Sequence, residues 1–364
     1  MDETTLALAS INITETLTIA QENNTFIYPV FTGKPYDPND YWELVLVRKL
    51  SLYVPPIIFG LGIIGNILSF IVFSTKSMRT SICSIFFRVL AVFDTAALIV
   101  GTCLGSWVIE TFGFDVTNVS NFTCKVFSFL IYFVTHVSSW VLVFVSIERC
   151  IGILKPLQHK LICTKKRAYW AMGIMFFIIA AIDMYVPIIK GIEESRGNVC
   201  YVHPKHQAFY SLFWSWADFV IYSGGPFLII FLCNVVIITR LLVAAYKRKH
   251  SLSGSASGPK LTSMTAMLIT ASFSFFILTS PITIYLFLVD LANQDMMTLK
   301  FILKMIVFHR FAMLASFLNH AINFFLYCFS GPVFRKNLLG LFPCYKAKQS
   351  KKTAMTGVTN MSSK

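Results

Sequence analysis

Residues 124–150 read CKVFSFLIYFVTHVSSWVLVFVSIERC. The stretch is apolar almost throughout, with a cysteine at its head and Glu148-Arg149 at its foot. As an α-helix rising about 1.5 Å per residue, it places Cys124 and Arg149 roughly 38 Å apart. A bilayer's hydrocarbon core is about 30 Å thick, so the two ends stand in opposite aqueous phases. The stretch reads as a rod that couples an event on one side of a membrane to an event on the other.

The rest of the chain agrees with that solvent. Of 364 residues, 56% are hydrophobic and only 13% charged, and the mean hydropathy is +0.68. Soluble domains carry about 25% charged residues. Seven apolar spans are predicted, at 50–74, 83–108, 124–149, 167–190, 207–243, 262–291 and 300–328, each long enough to cross. The expected fold is an all-α integral membrane protein, a seven-transmembrane helix bundle with a short amphipathic helix after the last span. No internal repeat is evident, which disfavours an inverted-repeat transporter. The net charge of +14 sits in short loops rather than in a basic groove with exposed aromatics, so nucleic acid is not an expected partner.

Basic residues set the orientation. Most of the chain's 31 Lys and Arg fall in the loops after spans 1, 3 and 5 and in the tail, whereas Asp2, Glu3, Glu15, Glu22, Asp37, Asp40 and Glu43 crowd the amino terminus. The amino terminus is expected outside a plasma membrane and the carboxyl terminus inside. The organisation read from this is a glycosylated extracellular segment at 1–48, a seven-span domain at 49–331, an amphipathic helix at 332–344 and a cytoplasmic tail at 345–364. The amino-terminal segment lacks the pattern of a cleavable signal peptide. Sequons at Asn12, Asn23, Asn118 and Asn121 all fall on the outer side. In GPVFRKNLLGLFPC, Phe334, Leu338, Leu341 and Phe342 are expected to share a face lying on the lipid bilayer. Cys344 closes the segment as a palmitoylation candidate, the alternative being a free thiol.

Of nine cysteines, only Cys124 and Cys200 fall outside, where thiols oxidise, and they are expected to form a disulfide. No spacing of His and Cys suggests a metal site, and no Ser/His/Asp set suggests an enzyme. Ionisable groups at membrane depth are costly and therefore candidates for function. Asp94 lies in mid-span 2, at the depth of Asn66 in span 1, Ser138 in span 3, and Asn319 and Asn323 in span 7. This set suits a hydrated Na⁺, a shared proton, or a polar network that joins helices. Asp183 and Asp218 lie in the outer halves of spans 4 and 5, and Asp290 lies at the outer end of span 6. Each suits contact with a cationic ligand, or hydrogen bonding to neighbouring hydroxyls. Tyr132, His136, Trp214, Trp216 and Tyr285 are candidates for the same cavity wall, or for packing.

These motifs, in this order, resemble the rhodopsin-like (class A) G-protein-coupled receptors over residues 45–344. Gly65-Asn66 matches that family's first-span pair, LAVFD its ion-site carboxylate at Asp94, and Cys124 with Cys200 its tethering disulfide. Glu148-Arg149-Cys150 stands where the family has Asp-Arg-Tyr, and Pro226 and Pro281 match its fifth- and sixth-span prolines. Asn323-Phe-Phe-Leu-Tyr327 replaces Asn-Pro-x-x-Tyr. There are departures: Thr279 stands where the family has a tryptophan, Phe324 where it has a proline, and Leu261 leaves no carboxylate at the foot of span 6. The resemblance implies a switch formed by Glu148, Arg149, Pro281 and Tyr327 that acts on a heterotrimeric G protein. Arrestin and receptor kinases would act at tail hydroxyls such as Thr353 and Ser362. Ile131 argues against monoamines and Phe317 against retinal. LNHAINFFLYCFSG is similar to invertebrate receptors for FMRFamide-like peptides, and an acidic outer surface suits a basic peptide. A receptor for a small non-peptide ligand, a constitutively active receptor and, more remotely, a transporter are the competing readings.

Overall fold

The computed structural model describes residues 41–193, 199–250, 262–291 and 298–342, without the side chains at 211, 212, 215, 248–250, 290 and 291. Asn12, Asn23, Leu261, Cys344 and the tail hydroxyls, all singled out in the sequence, lie outside the described residues. Among the described residues, seven helices are long and apolar enough to span a membrane: α1 (Trp42–Ser74), α2 (Ile82–Phe112), α3 (Asn121–Leu154), α4 (Lys165–Ile189), α5 (Trp216–Lys247), α6 (Ser263–Val289) and α7 (Leu299–Ser330). An eighth helix, α8 (Pro332–Leu339), follows α7 directly.

Helix α1 begins at Trp42, inside the segment 1–48 that the sequence assigned to the extracellular amino terminus. Arg48 and Lys49 end the apolar run there, but both are good helix formers, and both point outward on the extra turns. In α2 the backbone widens into i→i+5 turns over Leu98–Trp107, and Gly113, at φ 64°, ends the helix in the left-handed conformation. Ser120 and Thr123 form a reciprocal capping box at the start of α3. Thr164 and Thr298 cap α4 and α7 through their side-chain oxygens.

The loop between α4 and α5 holds two strands, β1 (Lys190–Glu193) and β2 (Val199–Val202). They pair antiparallel with Cys200 opposite Ile192. The apolar character of the spans had masked this short hairpin.

Close approach of α1 and α7 depends on small residues, as membrane helices require. A Cβ on Gly62 would come within 2.8 Å of Ala321 Cβ, and one on Gly65 within 2.9 Å of Phe324 Cβ. The main core lies in the half of the bundle nearer Arg149. There Phe73, Phe87, Tyr327 and Phe334 are all fully buried. Phe334, on α8, reaches the rings of Phe73 and Tyr327 with centroids 5.2 and 5.6 Å away. Leu338 and Leu341 join the same cluster. Phe342, expected on that face, is 55% exposed, because the helix stops at Leu339 and the chain turns away.

Candidate functional site

At the Cys124 end, the disulfide joins Cys124 at the head of α3 to Cys200 on β2, with their Cα atoms 5.4 Å apart. Two amides reinforce it. Asn118 Oδ1 accepts from the Cys200 backbone N–H at 2.8 Å, and Asn121 Oδ1 accepts from Ile192 N–H at 2.7 Å. The Nδ2 of Asn118, the atom a glycan would modify, donates to Asp115. The hairpin is thus fixed to α3 by the disulfide and Asn121, and to the turn just before α3 by Asn118.

Three turns along α3, His136 joins three helices. Its Nδ1 lies 2.9 and 3.1 Å from the two carboxylate oxygens of Asp183 on α4, and its Nε2 lies 2.9 Å from Asp218 Oδ1 on α5. Each ring nitrogen thus faces a carboxyl group, and the ring joins α3 to α4 and α5. The Asp183 side chain is fully buried, whereas that of Asp218 is 23% exposed. Of the two sequence readings for Asp183, ligand contact or hydrogen bonding to neighbours, the structure displays the second, its carboxyl being engaged by His136. Aromatic rings surround the group: Tyr132 and Tyr222 lie with centroids 5.8 and 6.1 Å from His136. Tyr132 OH bonds Tyr210 OH at 3.1 Å, and Trp214 packs edge-on to Tyr132. Tyr285 lies apart from this group, against His309 at 4.6 Å. Trp216 also packs elsewhere, on Phe287.

In the middle of the bundle, Asp94 is fully buried. Its Oδ1 accepts from Ser138 Oγ at 2.6 Å and lies 2.8 Å from His320 Nδ1, and its Oδ2 accepts from Asn323 Nδ2 at 2.8 Å. Asn66 Nδ2 donates to the His320 carbonyl at 3.1 Å. Asn319 is buried nearby but is not a partner of Asp94 among the described residues; one helical position further on, His320 takes the contact. The carboxylate is therefore met by hydroxyl, imidazole and amide hydrogens.

At the other end of α3, Glu148 is buried and saturated. Arg149 grips it through Nε and Nη2, the latter at 2.6 Å from Oε1. His159, on the short helix Pro156–Ile162, reaches Oε1 at 2.9 Å, and Cys83 on α2 donates to Oε2 at 2.8 Å. Tyr327 is buried among Phe73, Phe87 and Phe334, and its hydroxyl has no hydrogen-bond partner among the described residues. Within α6, Pro281 removes one backbone donor, while the Thr279 and Ser280 hydroxyls donate to the carbonyls of Phe275 and Phe276. Such back-bonding bends helices.

The sequence found the carboxylates and missed three of their partners: His320, His159 and Cys83 were not singled out. Arg310, buried in α7 and donating to Ser106 on α2, was missed as well. The rule that flagged Asp94, that ionisable groups at membrane depth are exceptional, flags His320 and Arg310 equally.

Seven spanning helices are also what the comparisons with known proteins indicate. Residues 65–327 match the 7 transmembrane receptor (rhodopsin family). The chain belongs to that family: it is a multi-pass membrane protein and a G-protein-coupled signalling receptor, not an enzyme. It is 26% identical to a probable G-protein coupled receptor of Caenorhabditis elegans, over 81% of this chain and 69% of that one. It is 25% identical to the allatostatin-A receptor of Bombyx mori, over 81% of each. Over a shorter region, 45% of this chain and 35% of the other, it is 32% identical to the RYamide receptor of Drosophila melanogaster.

Proposed function

We propose that this receptor lies in the plasma membrane with its amino terminus outside, binds a short neuropeptide there, and activates a heterotrimeric G protein inside. The observation that carries the reading is that one helix holds both working ends. His136, with Asp183 and Asp218, sits 13 residues before Arg149 on α3, about 20 Å along the axis. The kinship with the allatostatin-A and RYamide receptors supports a peptide as the ligand.

In this reading a basic group of the peptide meets the exposed edge of Asp218, whose other oxygen is engaged by His136. Tyr132 and Tyr222 supply ring faces for the same cation. Tyr285 and, from the sequence alone, Asp290 are further contact candidates on the α6 side. The disulfide and the two asparagines brace the head of α3, so contact energy acts against a fixed point. A ligand that binds the active bundle more tightly shifts an existing equilibrium by that difference in affinity. In the resting bundle Arg149 is held by Glu148. In the active bundle Arg149 is released, α6 swings about Pro281, and Tyr327 leaves its aromatic cage to line the cleft that the G protein enters. Receptor kinases and arrestin then act on the tail.

The test is a screen of amidated neuropeptides on cells expressing the chain, read by calcium and cyclic AMP. A basic peptide is expected to activate at submicromolar concentration and to lose at least tenfold in potency on Asp218→Asn. Silence to every peptide, with a response to a small non-peptide ligand or full activity without any ligand, would overturn the assignment.

A further inference from the structure

The family resemblance implies a sodium ion beside the carboxylate of the second span. The residues around Asp94 do not fit one. A hard cation is held by oxygen lone pairs. Here Ser138 spends its hydroxyl hydrogen on Asp94 Oδ1 at 2.6 Å, Asn323 turns its amide nitrogen to Oδ2 at 2.8 Å, and His320 brings Nδ1 to 2.8 Å of Oδ1. The imidazole also lies 3.4 Å from Ser138 Oγ, so it fills the corner between α2, α3 and α7. All four side chains are buried, His320 to 1% exposure and Asn323 to 4%. An ion entering here would have to break three hydrogen bonds and would then face hydrogens and a ring nitrogen.

We infer that His320 takes the place of the sodium ion at Asp94, so that the resting state of this receptor is held by a side chain of its own and is not stabilised by sodium. A neutral ring with its hydrogen on Nδ1 is sufficient; the geometry needs no change of protonation. The imidazole does for the helices what an ion does, joining the carboxylate of α2 to α3 and α7. The difference is that its occupancy is fixed by the sequence rather than by the salt outside the cell. Ion-dependent loosening of the bundle is then absent, and the balance between resting and active states is left to ligand and G protein. This inference concerns the mid-membrane site alone and does not depend on which ligand binds outside.

The experiment uses the purified full chain without ligand, in lipid nanodiscs, and measures its thermal unfolding midpoint in matched concentrations of sodium chloride and choline chloride. The wild-type midpoint is expected to be the same in both salts. In His320→Ala the corner is open, and sodium is expected to raise the midpoint by several degrees with a saturable dependence, as for any ligand that binds only the folded state. Asp94→Asn in the same background should abolish that rise. A saturable sodium shift in the wild type that disappears in Asp94→Asn would overturn the inference, and so would a His320→Ala protein that gains no sodium response. If His320→Ala does not fold, His320→Ser provides the open corner, and the wild-type comparison stands as a test in either case.

Discussion

The Glu148–Arg149 pair allows a quantitative prediction. Glu148→Gln keeps the shape of the side chain and one carbonyl acceptor, but removes the charge and the second acceptor oxygen. Arg149 now places Nε and Nη2 on both oxygens of Glu148. A hydrogen bond to a charged group is worth about 1.5–3 kcal/mol; the guanidinium stays charged and keeps one such bond to the Gln carbonyl, so losing the other removes roughly 1.5–3 kcal/mol. The Arg149 side chain is 17% exposed, so water recovers part of this for the released guanidinium. About 1–2 kcal/mol then remains in favour of the bundle in which Arg149 is free, a factor of roughly 5–30 in the active-to-resting ratio. Ligand-free GTPγS binding to membranes, normalised to surface receptor, measures that ratio. Glu148→Gln should raise it several-fold. An unchanged or lower basal signal from a well-expressed Glu148→Gln receptor would show that the pair does not restrain the resting state.

Three other outcomes are expected. Arg149→Ala should retain peptide binding but lose nucleotide exchange on the G protein, which a paired radioligand and GTPγS assay separates. Cys124→Ser opens a loop of 76 residues and should cost about 2–4 kcal/mol, in line with other disulfides, visible as reduced surface expression and a lower unfolding midpoint. Phe334→Ala empties a fully buried ring site; at about 3–5 kcal/mol for a buried Phe, it should lower the unfolding midpoint of the purified receptor far more than Phe342→Ala, whose ring is exposed.

The parts of this structure that are legible in the sequence share one cause. Crossing a bilayer imposes a long apolar run, so spans can be read locally. The disulfide follows from location alone, and Asp94 with Ser138 and Asn323 follows from depth along three helices. What could not be read depends on rotation about the helix axes. His136 lies 47 residues from Asp183 and 82 from Asp218, and nothing local says that its two nitrogens face both. The exchange of Asn319 for His320 at Asp94 is a difference of one position, 100° of helix rotation. The early start of α1 at Trp42 and the end of α8 at Leu339 are boundary errors of a different kind: Arg48 and Lys49 end an apolar run without ending a helix, and Phe342 continues an apolar pattern after the helix has stopped.

The bracing of the β1–β2 hairpin bears on the kinetics of recognition. Because Cys200, Asn118 and Asn121 fasten it to the head of α3 and the turn just before it, the rim of the entrance is in place before any ligand arrives. Little of this part of the receptor has to be ordered on binding, so the entropic cost falls mainly on the ligand's own chain. Related peptides should therefore arrive at similar rates and differ in how long they stay. Residence time, more than association, would then set the duration of the signal.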